Sequence, residues 1–141
     1  MREVKRSALV NRPPGELFEL INDIESYPQF LPWCSYARVE SRTATEIVAT
    51  LGVRRGALQG RFTTRNTLEP QSRVHMQLVS GPFRTLEGEW RLTPIEAGGC
   101  RVELSMRFAF RNPLSGLVFE PLFAETVGSL VDAFVSRAAA R

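Results

Sequence analysis

Few side chains in this sequence are equipped for bond-making chemistry, and they are scattered. His75 is the sole histidine, and Asp23 and Asp132 are the only aspartates. Acid–base catalysis requires a titratable pair converging on one reacting bond. Strand parity puts His75 on an outward face, and the two aspartates fall on helix surfaces, so no pair forms on an inward face. Cys34 and Cys100 have neither a neighbouring cysteine nor a histidine at metal-ligand spacing, which argues against a metal site and a disulfide scaffold. Cys34, next to Trp33, reads either as a small buried hydrophobe or as a reactive thiol. There is no glycine-rich phosphate loop of the P-loop or dinucleotide type. We therefore assign no catalytic residue and no metal, and expect a protein that acts by binding.

Charge offers one mode of binding. The chain carries 18 basic against 15 acidic residues, for a net charge of +3, and Lys5 is the only lysine. Such arginine dominance follows from codon bias or from an anionic partner, since the guanidinium fork matches phosphate. Arg61, Arg65, Arg73, Arg101, Arg107 and Arg111 share the outward strand parity. Cross-strand pairing with Glu87, Glu89 and Glu103 accounts for part of this set. The remainder, with Arg54 and Arg55 at a hairpin tip, is placed to meet RNA phosphates. No base-stacking aromatic pattern accompanies it, so sequence-specific nucleic-acid binding is not expected.

Apolar binding is the other mode. The inward set contains Phe62, Trp90, Met106, Phe108 and Phe110 from strands, with Phe18, Phe119, Phe123 and Phe134 from helices. Gly60, Thr64 and Gly88 lie on the same strand faces and remove volume locally. The pattern fits an apolar cavity and a solid aromatic core equally well.

The elements that must position these groups follow from periodicity. A first strand covers about Glu3 to Asn11, with Arg6 interrupting its inward row. Pro13-Pro14 open a short helix carrying Leu17, Phe18, Ile21 and Ile24, which ends near Ser26 ahead of Pro28. After a loop from Tyr27 to Cys34 the period becomes 2, and six alternating strands follow. From Pro113 the period is helical again, and Pro121 is expected to kink or restart the helix. The segment from Leu114 to Phe123 is apolar on nearly every side, with Glu120 its only charge, and suits a lid or a partner-binding surface. The expected class is α+β: a seven-stranded antiparallel sheet on a long C-terminal helix, in the order β-α-β6-α. At 43% hydrophobic and 23% charged, the composition fits one folded domain over residues 1–141. Without an uncharged apolar run of about 18 residues, no transmembrane helix is expected. Without a signal-like N-terminus, a cytoplasmic location with reduced thiols is expected.

Several segments together resemble the coenzyme-Q-binding START-like proteins of the polyketide cyclase superfamily, and most closely their bacterial branch of ribosome association toxins. These are Asp23-Ile-Glu-Ser-Tyr-Pro-Gln-Phe-Leu-Pro-Trp-Cys34, Phe62-Thr-Thr-Arg65, Gly81-Pro-Phe83 with Leu86, Gly88 and Trp90, and the phenylalanine-rich final strand and helix. The resemblance spans essentially the whole chain. It implies a helix-grip fold with a hydrophobic tunnel. It also implies ubiquinone or another prenyl lipid as bound ligand, held without covalent attachment, in a respiratory chaperone with peripheral contact at the inner membrane. The alternative it implies is binding to the large ribosomal subunit that blocks subunit joining. A polyketide cyclase or aromatase role ranks third. On this resemblance, with strand parity, Trp33, Phe62, Phe83, Trp90, Phe108, Phe110, Phe119 and Phe123 are the candidate ligand contacts. Arg54, Arg55, Arg61 and Arg65 are the candidate ribosome contacts.

Overall fold

A computed structural model describes residues 1–140. The strands are β1 (Arg2–Val10), β2 (Cys34–Arg42), β3 (Glu46–Arg55), β4 (Leu58–Glu69), β5 (Arg73–Ser80), β6 (Phe83–Pro94) and β7 (Cys100–Phe110). The α-helices are α1 (Pro14–Asn22), α2 (Pro113–Gly128) and α3 (Leu130–Ala139). The strands form one antiparallel sheet in the order β1-β7-β6-β5-β4-β3-β2. Consecutive hairpins account for β2 to β7, and β1 returns to pair with β7. Alternation explains the packing: Val102, Leu104, Met106 and Phe108 are buried on β7, whereas Arg101 and Arg107 face solvent. The sheet wraps around the C-terminal helix in the helix-grip arrangement that the resemblance implies.

Two local features depart from periodicity. α-Helical bonding ends at Asn22, and the chain runs on as a 3₁₀ helix over Ile24–Gln29 that contains Pro28. Proline has no N–H for an α-helical ladder, so the tighter winding replaces both the end of the expected helix and part of the expected loop. Tyr27 is buried there, and its hydroxyl donates to the Ile21 carbonyl. The second departure concerns Pro121, which sits inside α2 without ending it; the interruption comes at Ser129, between α2 and α3. Pro121 is exposed, as is Leu117 one turn earlier, so the carbonyl that the proline leaves without a helical donor lies on a turn facing solvent.

Arg6 is accommodated by a glycine. Its guanidinium lies 3.1 Å from where a Cβ on Gly128 would stand, so the glycine lets the arginine rest closer against α2 than a larger residue would. Gly128 closes a helix with no basic residue in its last turn, and Arg6 supplies a favourable positive charge there.

The helical stretch Pro113–Ala139 is 27 residues long and its most apolar 18-residue window has a mean hydropathy of 1.3, enough by length and composition to cross a membrane. Only 28% of its most apolar window is buried in this fold, and Glu120, Glu125 and Asp132 interrupt the stretch.

Candidate functional site

A small void separates the sheet from α2 and α3. Trp33 borders it ahead of β2, Ala49 and Leu51 on β3, Phe62, Thr64 and Asn66 on β4, Met76 on β5, Leu86 and Trp90 on β6, and Met106 on β7. Phe123, Thr126 and Val127 of α2, Leu130 and Phe134 of α3, and Ile24 and Tyr27 of the 3₁₀ segment close the other side. Its volume is about 60 Å³. An apolar cavity of roughly 150 Å³ takes one benzene molecule. A larger ring therefore enters only if lining side chains or α2 move.

The lining is apolar with a few polar groups. Thr64 Oγ1 donates to Asn66 Oδ1 at 2.9 Å, and Thr126 Oγ1 donates to the Leu122 carbonyl at 2.9 Å. The indole Nε1–H of Trp33 is buried and has no acceptor among the described residues. A buried donor without a partner carries a desolvation cost of about 1–3 kcal/mol.

Two aromatic clusters flank this space. Tyr27, Phe30, Trp90 and Phe134 meet edge to face, with Trp90 and Phe134 centroids 5.2 Å apart. Phe62, Phe83, Phe108, Phe110 and Phe123 form the second, with Phe83 4.7 Å from Phe110 and 4.9 Å from Phe123. Of the eight aromatic candidates, Trp33, Phe62, Trp90 and Phe123 line the void. Phe83 and Phe108 lie behind it in the second cluster. Phe110 and Phe119, 6.3 Å apart, border a shallow groove on the outside of α2. Of the small residues, Gly88 lies between the Met76 and Met106 methyls, each 3.0 Å from its would-be Cβ, whereas Gly60 is exposed with nothing near it. Parity alone misses Asn66, Thr126 and Tyr27. The first two are visible as polar residues on otherwise inward rows, but Tyr27 depends on the 3₁₀ turn.

The outward arginines divide by partner. Arg55 pairs with Glu125 at 3.2 Å and Arg65 with Glu46 at 3.2 Å. Arg107 pairs with Glu87 at 3.4 Å, Arg91 with Glu89 at 3.1 Å, and Arg73 with both Glu69 and Glu89. Arg54, Arg61 and Arg101 are exposed and have no ion pair among the described residues; half-buried Glu103 also lacks one. On this face Tyr36 lies across Gly52, where a Cβ would come within 2.5 Å of its ring, and Gly52 is in register with Arg61.

The remaining chemical groups stay apart. His75 Nε2 lies 3.4 Å from Glu87 on the outer face. Asp23 accepts from Ser26 Oγ at 2.7 Å. Cys34 is buried, donates from Sγ to the Tyr36 carbonyl at 3.3 Å, and has its pKa pushed up to about 11 by burial. It is a protonated, unreactive thiol at neutral pH. Among the described residues no cluster of three or more metal-ligating side chains occurs.

Comparison with known proteins places this geometry. Residues 10–135 match the family described as polyketide cyclase / dehydrase and lipid transport. The chain is 40% identical over 135 residues to the ribosome association toxin RatA of Pseudomonas aeruginosa, covering 96% of this chain and 94% of that one. It is 25% identical over 139 residues to the mitochondrial coenzyme Q-binding protein coq10 of Schizosaccharomyces pombe, covering 95% and 85% of the two chains. A crystal structure of a Thermus thermophilus protein superposes with a TM-score of 0.86 at 22% identity, over 99% of this chain and 98% of that one.

Proposed function

The chain belongs to the polyketide cyclase / dehydrase and lipid transport family, closely related within it to bacterial RatA proteins, and on that premise we propose a ribosome-directed function. It is a non-enzymatic ligand-binding protein of this superfamily. In our reading it works in the cytoplasm, binds the large ribosomal subunit, and blocks joining of the small one. The observation that carries this reading is the 40% identity to RatA along nearly the full length of both chains. Identity to the coenzyme-Q-binding relative is lower, at 25%. The order of the two functions suggested by the sequence resemblance is thereby reversed.

Arg54 and Arg61 supply the contact best, because no carboxylate among the described residues pairs with them and phosphate can bind without breaking such an ion pair. Arg55 and Arg65 contribute less, since each must exchange a carboxylate for phosphate. The test is subunit joining in a sucrose gradient. The wild-type chain should raise the free-subunit fraction, and the Arg54→Glu/Arg61→Glu double variant should lose this effect while keeping its thermal melt. An unimpaired double variant rules out this face as the contact.

A second reading concerns the cavity, where we infer a prenyl lipid such as ubiquinone as ligand. Apolar walls suit the chain of such a molecule, and the unpartnered Trp33 N–H suits a carbonyl oxygen on its headgroup. Entry requires lining side chains or α2 to move, given the volume of about 60 Å³. A cyclase role has less support, because no acid–base pair among the described residues faces the void.

A further inference from the structure

At the end of the molecule where α2 begins, three large apolar side chains stand in solvent. Leu114 is 75% exposed, Leu117 79% and Val118 58%. Spacings of three and four residues put them on one face of the helix. The sequence from Pro113 to Phe119 contains no charge, while the opposite face is committed to the fold through buried Gly116 and Phe123.

Two shallow grooves flank this ridge. One brings Met1, Arg2 and Arg84 beside Leu117 and Pro121. The other brings Arg111 beside Phe110 and Phe119, bordered by Leu58 and Gln59 of the β3–β4 hairpin. Arg2 and Arg84 have no ion pair among the described residues. Arg111 donates to the Gly81 carbonyl at 2.8 Å, which leaves its charge uncompensated. Glu120 is the single carboxylate in the two grooves, against three guanidiniums.

An uncharged apolar ridge ringed by uncompensated arginines complements an anionic lipid surface. The ridge enters the boundary of the acyl chains while the guanidiniums meet headgroup phosphates. An RNA surface offers phosphates but no apolar phase for Leu114, Leu117 and Val118. We propose that this end of the molecule docks on an anionic bilayer, with α2 lying in the interface and not spanning it. The proposal is independent of the ribosome reading.

The experiment is flotation of the full chain with phosphatidylcholine vesicles, with and without phosphatidylglycerol. The wild-type chain should float with phosphatidylglycerol vesicles and be released by added salt. Leu117→Glu should weaken binding about tenfold or more, through loss of apolar area. Arg84→Gln should weaken it about fivefold, the contribution of one basic side chain near an anionic surface. Both positions are exposed, so an unchanged thermal melt will show that the fold is intact. Three results would overturn the proposal: no flotation with phosphatidylglycerol vesicles, flotation that neither substitution alters, or a wild-type dimer that Leu117→Glu splits and that does not bind vesicles.

Discussion

Trp33 holds a buried N–H with no acceptor among the described residues, and replacing it with phenylalanine separates two contributions. Without ligand, Trp33→Phe removes an unsatisfied donor at the cost of some packing, so stability measured by urea unfolding should change by less than about 1.5 kcal/mol. Binding of a short-chain ubiquinone, followed by tryptophan or ligand fluorescence quenching, should weaken about fivefold, the worth of one hydrogen bond. Equal affinity would exclude Trp33 as the oxygen's partner. Cys34 gives a second residue-scale prediction. Burial raises its pKa to about 11 from an ordinary 9.0, so the native state holds its proton more tightly than the unfolded one. Its contribution to stability is therefore constant below about pH 9 and falls as pH rises from there towards 11. Tyr27, whose hydroxyl is also raised by burial, adds a fall in the same direction. Chemical unfolding across this range should show a shallower slope for Cys34→Ala than for wild type; an identical slope would contradict the assignment. At this scale the sequence is only partly readable. The inward parity of Phe62 and Trp90 is plain, but which rings face empty space and which face each other depends on how the helix sits across the sheet, and no strand pattern encodes that.

The elements are far more legible, because period-2 alternation persists over β2 to β7 and the helical stripe of α3 is clean. What escapes is set by proline and glycine. Pro28 turns an expected loop into 3₁₀ helix, and Pro121 is tolerated because its turn faces water. The two elements meeting at Gly99 offer a direct check on packing. A Cβ there would stand 2.2 Å from the Val10 carbonyl oxygen, which is backbone at the end of β1 and unable to swing aside. Gly99→Ala should therefore destabilise the protein by about 2–3 kcal/mol, the cost of overpacking against fixed atoms. Gly88→Ala is the contrast: its new methyl would meet flexible Met76 and Met106 ends and stand 3.1 Å from the Ser105 carbonyl oxygen, a far milder approach to backbone than at Gly99, so a smaller cost of about 1–2 kcal/mol is expected. Differential scanning calorimetry of the pair tests both, and equal costs would contradict a rigid β1 junction.

On the scale of the whole molecule, the chain combines an apolar interior, an arginine-bearing sheet face and an exposed apolar helix end, which the proposals above assign to a ligand, to phosphate and to a lipid surface respectively. These regions share a framework but draw on different forces, so salt distinguishes them. Binding through Arg54 and Arg61 should weaken steeply as salt is added, whereas a ligand within the cavity should hardly respond. The most direct test of the ribosome-directed function is subunit joining, measured by light scattering of purified ribosomal subunits at low and high salt with stoichiometric wild-type chain. Joining should be inhibited at low salt, recover at high salt, and proceed normally with the Arg54→Glu/Arg61→Glu variant. Full joining in the presence of the wild-type chain at low salt would contradict that function.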